Sequence, residues 1–175
     1  QAVFLQGELS RFYPVIVLEG TLLARWYREG LYKPLDLEEA VHWCVPAYDY
    51  LLQSGKPPIR MGLQTDAQWS EQGAVLAGPL HPSFGYLVRV HWLRQKIHEA
   101  LQRWVVAGRE RETLTVHVPE RVVSEVVGPG RSNIHCWMRD HSFVSVKVTG
   151  HHPWAPPAPC NPLAPFYFSR RIDHL

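Results

Sequence analysis

Charge is scarce in this chain. Of its 175 residues only 19% are Asp, Glu, Lys or Arg, and Lys plus Arg (18) exceed Asp plus Glu (16) by two. A globally basic or acidic protein is therefore excluded, and any nucleic-acid footprint has to be local. Cysteine is scarce and scattered: Cys44, Cys136 and Cys160 are odd in number, and none lies within four residues of another. That spacing excludes a disulfide framework and paired zinc-type ligands, and makes reduced thiols the expectation. Long apolar runs are missing too, since none approaches the roughly 18 residues that span a bilayer. The opening QAVFLQGELS has neither the basic start nor the apolar stretch of a signal peptide, so a cytoplasmic location with no membrane partner is expected. No repeat of solenoid length is visible. What is present is enough apolar side chain, 46% of residues, for a packed core of one ordinary domain or two small ones.

Residues 11 to 65 read as strand, helix, helix, strand. The run Tyr13-Pro14-Val15-Ile16-Val17-Leu18 is continuously apolar and predicts a strand buried on both faces. Thr21 is placed to cap the helix LLARWYRE, and Gly30 to end it in a left-handed conformation. Asp36 and Glu39 have capping-box spacing before a second helix running toward Gly55, in which Pro46 predicts a kink or a split. Residues Pro58 to Gln64 read as a second short buried strand. Two strands joined by helices make a βαβ-like unit, the repeating part of a parallel sheet or barrel. Residues 65 to 82 read as a surface loop.

Ser83 is a candidate cap for a long helix whose Phe84, Leu87, Val88, Leu93, Ile97, Leu101, Trp104 and Val105 recur at three- and four-residue spacing. Residues 113 to 149 read as a separate unit. It comprises the strand TLTVHV, a helix from Glu120 to Val127, a GPGR turn, a helix from Asn133 to Arg139 and the strand FVSVKV. Six prolines between Pro153 and Pro165 predict a stiff extended tail.

The string RFYPVIVLEGTLLARWYREGLYKPLDLEEAVHWC, followed by PPIRMGLQ and then AGPLHPSFGYLV, resembles the carboxyl-terminal extension of radical S-adenosylmethionine proteins related to the catalytic subunit of Elongator. The resemblance covers residues 11 to 88. It departs from the family at Glu19, where Lys or Arg is common, and at Pro46, inside a helix that is normally continuous. It implies an α/β fold: the last strands and helices of an incomplete (β/α) radical SAM barrel over residues 1–110, then a small β-α-α-β module over 111–150 and a Pro-rich tail over 151–175. Radical SAM chemistry needs three thiolates at CxxxCxxC spacing to hold a four-iron-four-sulfur cluster, with one iron left open for S-adenosylmethionine. Cys44, Cys136 and Cys160 do not have that spacing. The resemblance therefore implies the distal part of a larger enzyme. Its partner would be an N-terminal radical SAM barrel portion of the same protein that binds both cofactors, with no activity from this chain alone. In the Elongator catalytic subunit the substrate is a tRNA wobble uridine, so an RNA or tRNA-like substrate is the extrapolation.

A second resemblance lies in VVGPGRSNIHCW, which is similar to the KH signature of an apolar pair, GxxG and a following Ile. The glycines of such a turn let backbone approach a phosphate, and the helix beyond it offers unpaired N–H groups. Gly128, Gly130, Arg131 and Asn133 are the implied RNA contacts, with Arg131 standing where the second Gly of GxxG belongs. The alternative function is a stand-alone KH-like RNA-binding module, and the bland one a plain turn in a packing module. Arg121, Arg139 and Lys147 would add local charge.

Other candidates each have an ordinary reading beside the functional one. Arg60 and Gln64, near the carboxyl end of the second strand, are where barrel enzymes place cofactor contacts; otherwise Arg60 pairs with a carboxylate and Gln64 caps the strand. Tyr32 and Lys33 stand on a βα loop where a lysine can meet a substrate phosphate or carboxylate, or simply be solvated. His81, between Gly78-Pro79 and Pro82, is either an acid or base toward substrate or a residue that orders a turn. The carboxylates at Asp36, Glu38 and Glu39 are explained by capping and the helix dipole. His151, His152 and Cys160 lack the pairing of a metal site. Trp26, Trp43, Trp92 and Trp104 fall in expected helices as core or interface, which leaves Trp137 and Trp154 as candidates for base stacking.

Overall fold

The computed structural model describes residues 9–63, 73–104, 113–151 and 167–171. Gln64, Trp154, Cys160 and the expected domain boundary near residue 110 lie outside the described residues. By its internal contacts the chain divides into two compact units, Gln1–Val88 and Arg89–Leu175.

The first unit contains β1 (Ser10–Phe12), β2 (Val17–Leu18), α1 (Leu22–Arg28), α2 (Leu37–Gln53), β3 (Pro58–Met61), β4 (Val75–Ala77) and the start of α3 (Phe84–Trp104). β1 runs parallel to β3, with Ser10 opposite Pro58 and Phe12 opposite Met61. The two helices between them are the crossover that a parallel pair requires. The expected unit is therefore present, but its first strand is three residues earlier than the apolar run. Residues 13–16 make no ladder, and Pro14 has no N–H to contribute. Tyr13 at 42% and Val15 at 57% are exposed while Val17 is at 0%, so the run is not buried on both faces along its length. Val17 and Leu18 pair antiparallel with β4, a strand inside the segment expected to be loop.

Local signals set the helices. Thr21 Oγ1 accepts from the Ala24 amide at 3.1 Å. Asp36 Oδ1 accepts from Glu39 N at 2.8 Å while Glu39 Oε2 accepts from Asp36 N at 3.0 Å, a complete capping box. α2 continues through Pro46 without splitting. Pro46 is exposed, so water can serve the carbonyl that the ring leaves without a donor. The core gathers Val17, Ala24, Ala40, Val45, Leu52, Met61, Phe84 and Val88. Gly62, the glycine of the GLQ string, has φ +80, and a Cβ there would lie 2.5 Å from Phe84 Cβ. Only glycine fits that approach.

The second unit contains most of α3, then β5 (Thr113–Pro119), a 3₁₀ turn (Glu120–Val122), α4 (Val123–Val127), a 3₁₀ turn (Pro129–Arg131), α5 (Ser132–His141), β6 (Ser145–His151) and β7 (Tyr167–Arg171). Its sheet has the order β6-β5-β7. β5 is parallel to β6 from Thr113↔Ser145 to Pro119↔His151, and α4 with α5 forms the crossover, so the β-α-α-β order expected for 113–149 is present. β7, from the proline-rich tail, adds an antiparallel strand on the other edge of β5. That central position explains why Leu114, Val116 and Val118 are all fully buried.

α3 and α5 lie side by side in the same direction. Asn133 Nδ2 donates to Val90 O at 3.2 Å, Trp137 Nε1 to Arg94 O at 3.4 Å, and His141 Nε2 meets His98 Nδ1 at 3.1 Å. Each step advances four residues on both helices, a constant offset that only parallel helices allow. Among the described residues no helix is long and apolar enough to cross a membrane.

Candidate functional site

The GPGR turn joins α4 to α5. Gly128 (φ +73), Gly130 (φ +57) and Arg131 (φ +62) are all left-handed, and Arg131 is not a glycine. Its amide closes the turn onto Gly128 O at 3.1 Å. A Cβ at Gly128 would lie 2.5 Å from Ser132 Oγ, whereas Gly130 borders open space. Arg131 stands at the N-cap of α5 without a side-chain cap bond, and it is exposed. The first N–H groups of α5 therefore lack a side-chain acceptor from the N-cap residue, beside an exposed guanidinium, a combination suited to an anion.

Asn133 has a different place. It is 1% exposed, and Nδ2 faces Val90 O, Glu125 O (3.3 Å) and Val126 O (3.1 Å). Three carbonyls around one side-chain end fix the amide as the donor. Oδ1 is buried and has no partner among the described residues. Asn133 thus ties α5 to α3 and α4, and any effect on a bound nucleic acid would be indirect. Trp137 is 0% exposed with its N–H bonded, so it offers no face for base stacking.

A cavity of about 340 Å³ opens between α3 and α5. Its lining includes His91, Arg94, His98, Cys136, Arg139 and Asp140. Arg94 Nη2 meets His91 Nε2 at 2.5 Å, and Arg94 Nη1 and Arg139 Nη2 each lie 3.9 Å from Cys136 Sγ. Arg139 Nε bonds Asp140 Oδ1 at 2.8 Å, which holds that carboxyl below the usual range. Burial, and then the neighbouring His98, push the His141 imidazole below its ordinary value, with Asp140 opposing them. None of these cavity residues was singled out as a group from the sequence. The available signal was the polar recurrence of His91, Arg94, Gln95, His98 and Glu99 at helical spacing, opposite the apolar stripe.

The candidates of the first unit do not converge. Arg60 is exposed on β3 opposite Arg11, Tyr32 is half-buried after α1, and Lys33 is exposed. His81 Nδ1 accepts the Ser83 amide at 3.0 Å and its carbonyl accepts Phe84 N at 3.1 Å, so the histidine orders the entry to α3. Glu19 carries an ion pair with Arg28, which holds its carboxyl below the usual range. A separate apolar cavity of about 410 Å³ is lined by Phe12, Tyr13, Leu35, Trp43, Cys44 and Tyr50 among others. Trp43 is 68% and Trp26 44% exposed, so of Trp26, Trp43 and Trp92 only Trp92 is core.

These units define a mixed α/β protein in which a parallel β-α-α-β unit precedes a second small sheet. The Radical_SAM C-terminal domain description matches residues 8–106, more than half of the chain, and the chain belongs to that family. It is therefore part of a radical SAM protein, a family that implies S-adenosylmethionine and an iron-sulfur cluster in the full-length proteins. No match was found among curated proteins or among solved structures. The chain's own residues do not fit the cluster. Burial pushes the Cys44 thiol up to about 11, against the thiolate that iron requires, and no group of three His, Cys, Asp or Glu able to hold a metal occurs among the described residues.

Proposed function

We propose that this chain is the carboxyl-terminal portion of an Elongator-related radical S-adenosylmethionine enzyme, where it closes the barrel and presents an RNA substrate. The radical is generated in an N-terminal barrel portion of the same protein, which holds the cluster, while Arg60 and Gln64 contribute to the cofactor side and Tyr32, Lys33 and His81 to the substrate side. The observation that carries this reading, beside the family match, is the apolar surface of the first unit. Tyr13, Val15, Leu22, Leu31, Trp43 and Ile59 are each at least 42% exposed. So much uncovered large apolar side chain fits a surface made to be covered by more protein. Among the described residues the β1–β3 sheet has two strands, fewer than a stable free-standing sheet needs.

The test is to read the coding region upstream of Gln1 and produce the whole frame anaerobically. An in-frame CxxxCxxC, a reconstituted cluster and cleavage of S-adenosylmethionine to 5'-deoxyadenosine are expected. A start codon directly before Gln1 would refute the reading.

A second reading, a KH-like RNA-binding module, is favoured by one observation: the exposed Gly130 and Arg131 beside the start of α5. Single-stranded RNA is expected to bind with an affinity that falls steeply with salt, as phosphate contacts require. No affinity, or affinity flat between low and physiological salt, would eliminate it.

A further inference from the structure

We propose that the cavity between α3 and α5 binds a small phosphate-type dianion, gripped by Arg94, with the His98–His141 pair taking up a proton as the anion enters. The site is separate from the GPGR turn and from the proposed radical chemistry, and it stands on its own geometry.

Three features carry it. The first is a cation without a carboxylate. Among the described residues Arg94 meets only His91 and Cys136, whereas Arg139 is engaged by Asp140 and Arg89 by Glu125 at 2.7 Å. A guanidinium on the wall of a cavity with donors to spare is the group best shaped to grip a tetrahedral oxyanion.

The second is the imidazole pair. With His98 Nδ1 and His141 Nε2 at 3.1 Å, one nitrogen donates and the other accepts, so the neutral pair shares one hydrogen. One added proton gives an imidazolium–imidazole hydrogen bond, while a second would place two cations in contact. The pair is thus a reservoir for a single positive charge. His98 lines the cavity, and its Nε2 meets Gln102 Nε2 at 2.9 Å.

The third is the charge balance. Arg94 and Arg139 are offset by Glu99 and Asp140, so the lining is neutral while His91, His98 and Cys136 are uncharged. An entering dianion leaves an excess of negative charge that the imidazole pair neutralises best by binding one proton. Burial and the neighbouring imidazole now keep His141 less basic than usual, and an anion reverses the second of these influences. The charge requirement selects a terminal phosphate or phosphate monoester over a phosphodiester, which carries a single charge.

The experiment titrates the full chain with inorganic phosphate and with sulfate by calorimetry at about pH 6 and about pH 8, at fixed ionic strength. Sulfate is a dianion at both values, so its pH dependence reports on the protein alone. Saturable one-to-one binding is expected, with sulfate several-fold tighter at the lower pH, and Arg94→Gln is expected to weaken both anions at least tenfold. His98→Asn is expected to flatten the sulfate pH dependence while circular dichroism stays unchanged. Absence of saturable binding by wild type to roughly 10 mM would overturn the proposal at this affinity scale. So would a pH-independent sulfate affinity, or a folded Arg94→Gln chain that binds as wild type does. An oligonucleotide without terminal phosphate serves as the contrasting probe. Binding of it alone, with neither small anion, would also overturn the proposal.

Discussion

Replacing Asn133 with alanine removes the donor that three backbone carbonyls share. Nδ2 has two hydrogens, and the carbonyls of Val90, Glu125 and Val126 lie 3.1 to 3.3 Å from it. Val90 sits inside α3, where the helix's own ladder serves its carbonyl. Glu125 and Val126 lie in the last turn of α4, beyond the reach of that five-residue helix's ladder, so their carbonyls depend on the side chain. Two buried acceptors left without a donor cost about 1–3 kcal/mol each. Removing the unpartnered Oδ1 recovers part of this, which leaves a net loss of about 2–4 kcal/mol. At about 4–8 °C per kcal/mol for a unit the size of Arg89–Leu175, the midpoint should fall by about 8–30 °C. Urea and thermal unfolding followed by circular dichroism measure it. Asn133→Asp, which keeps the shape but turns a second acceptor toward the same carbonyls, should be the more damaging change at neutral pH. A loss under about 1 kcal/mol for Asn133→Ala, or an aspartate milder than the alanine, would refute the reasoning.

Gly62→Ala should destabilise the first unit by about 2–4 kcal/mol in urea unfolding, because it adds left-handed strain to a clash with the buried Phe84; a neutral effect would mean that α3 shifts freely. Cys44, with a pKa of about 11, should have only about a thousandth of its thiol ionised at pH 8. Iodoacetamide should therefore label it slowly, and much faster in denaturant, as mass spectrometry of the labelled peptide would show. His141 titrates below its ordinary 6.5 in the folded chain, so between the two values the unfolded state binds more protons and stability rises with pH. Unfolding midpoints should accordingly fall as pH drops below about 6.5, and His141→Gln should flatten that slope; an unchanged slope in the variant would assign it to other groups.

The capping signals were legible in the sequence because they are local. Thr21, and Asp36 with Glu39, sit within three residues of the amides they satisfy, and no distant contact is needed to place them. The order of strands and helices from residue 113 to 149 was legible for the same reason, as apolar alternation and the GPGR turn fix each element separately. The run from Tyr13 to Leu18 was misread as one doubly buried strand, because hydrophobicity gives burial only when something covers it. Pro14 withholds a ladder bond, and the partner of Val17 and Leu18 is a strand some sixty residues away. β7 was hidden behind the prolines that precede it.

The sequence by itself determined the family string, the helix caps and the absence of cluster-forming cysteines, all of which are properties of neighbours along the chain. Only the tertiary structure decided that Asn133 is a buried tie rather than a surface contact, and that His81 orders a helix entry. It alone set Arg94, His98 and Cys136 around one cavity, with His141 against His98. Those groups come from helices whose paired residues are 43 apart in sequence, and only parallel packing of α3 on α5 turns that separation into contact.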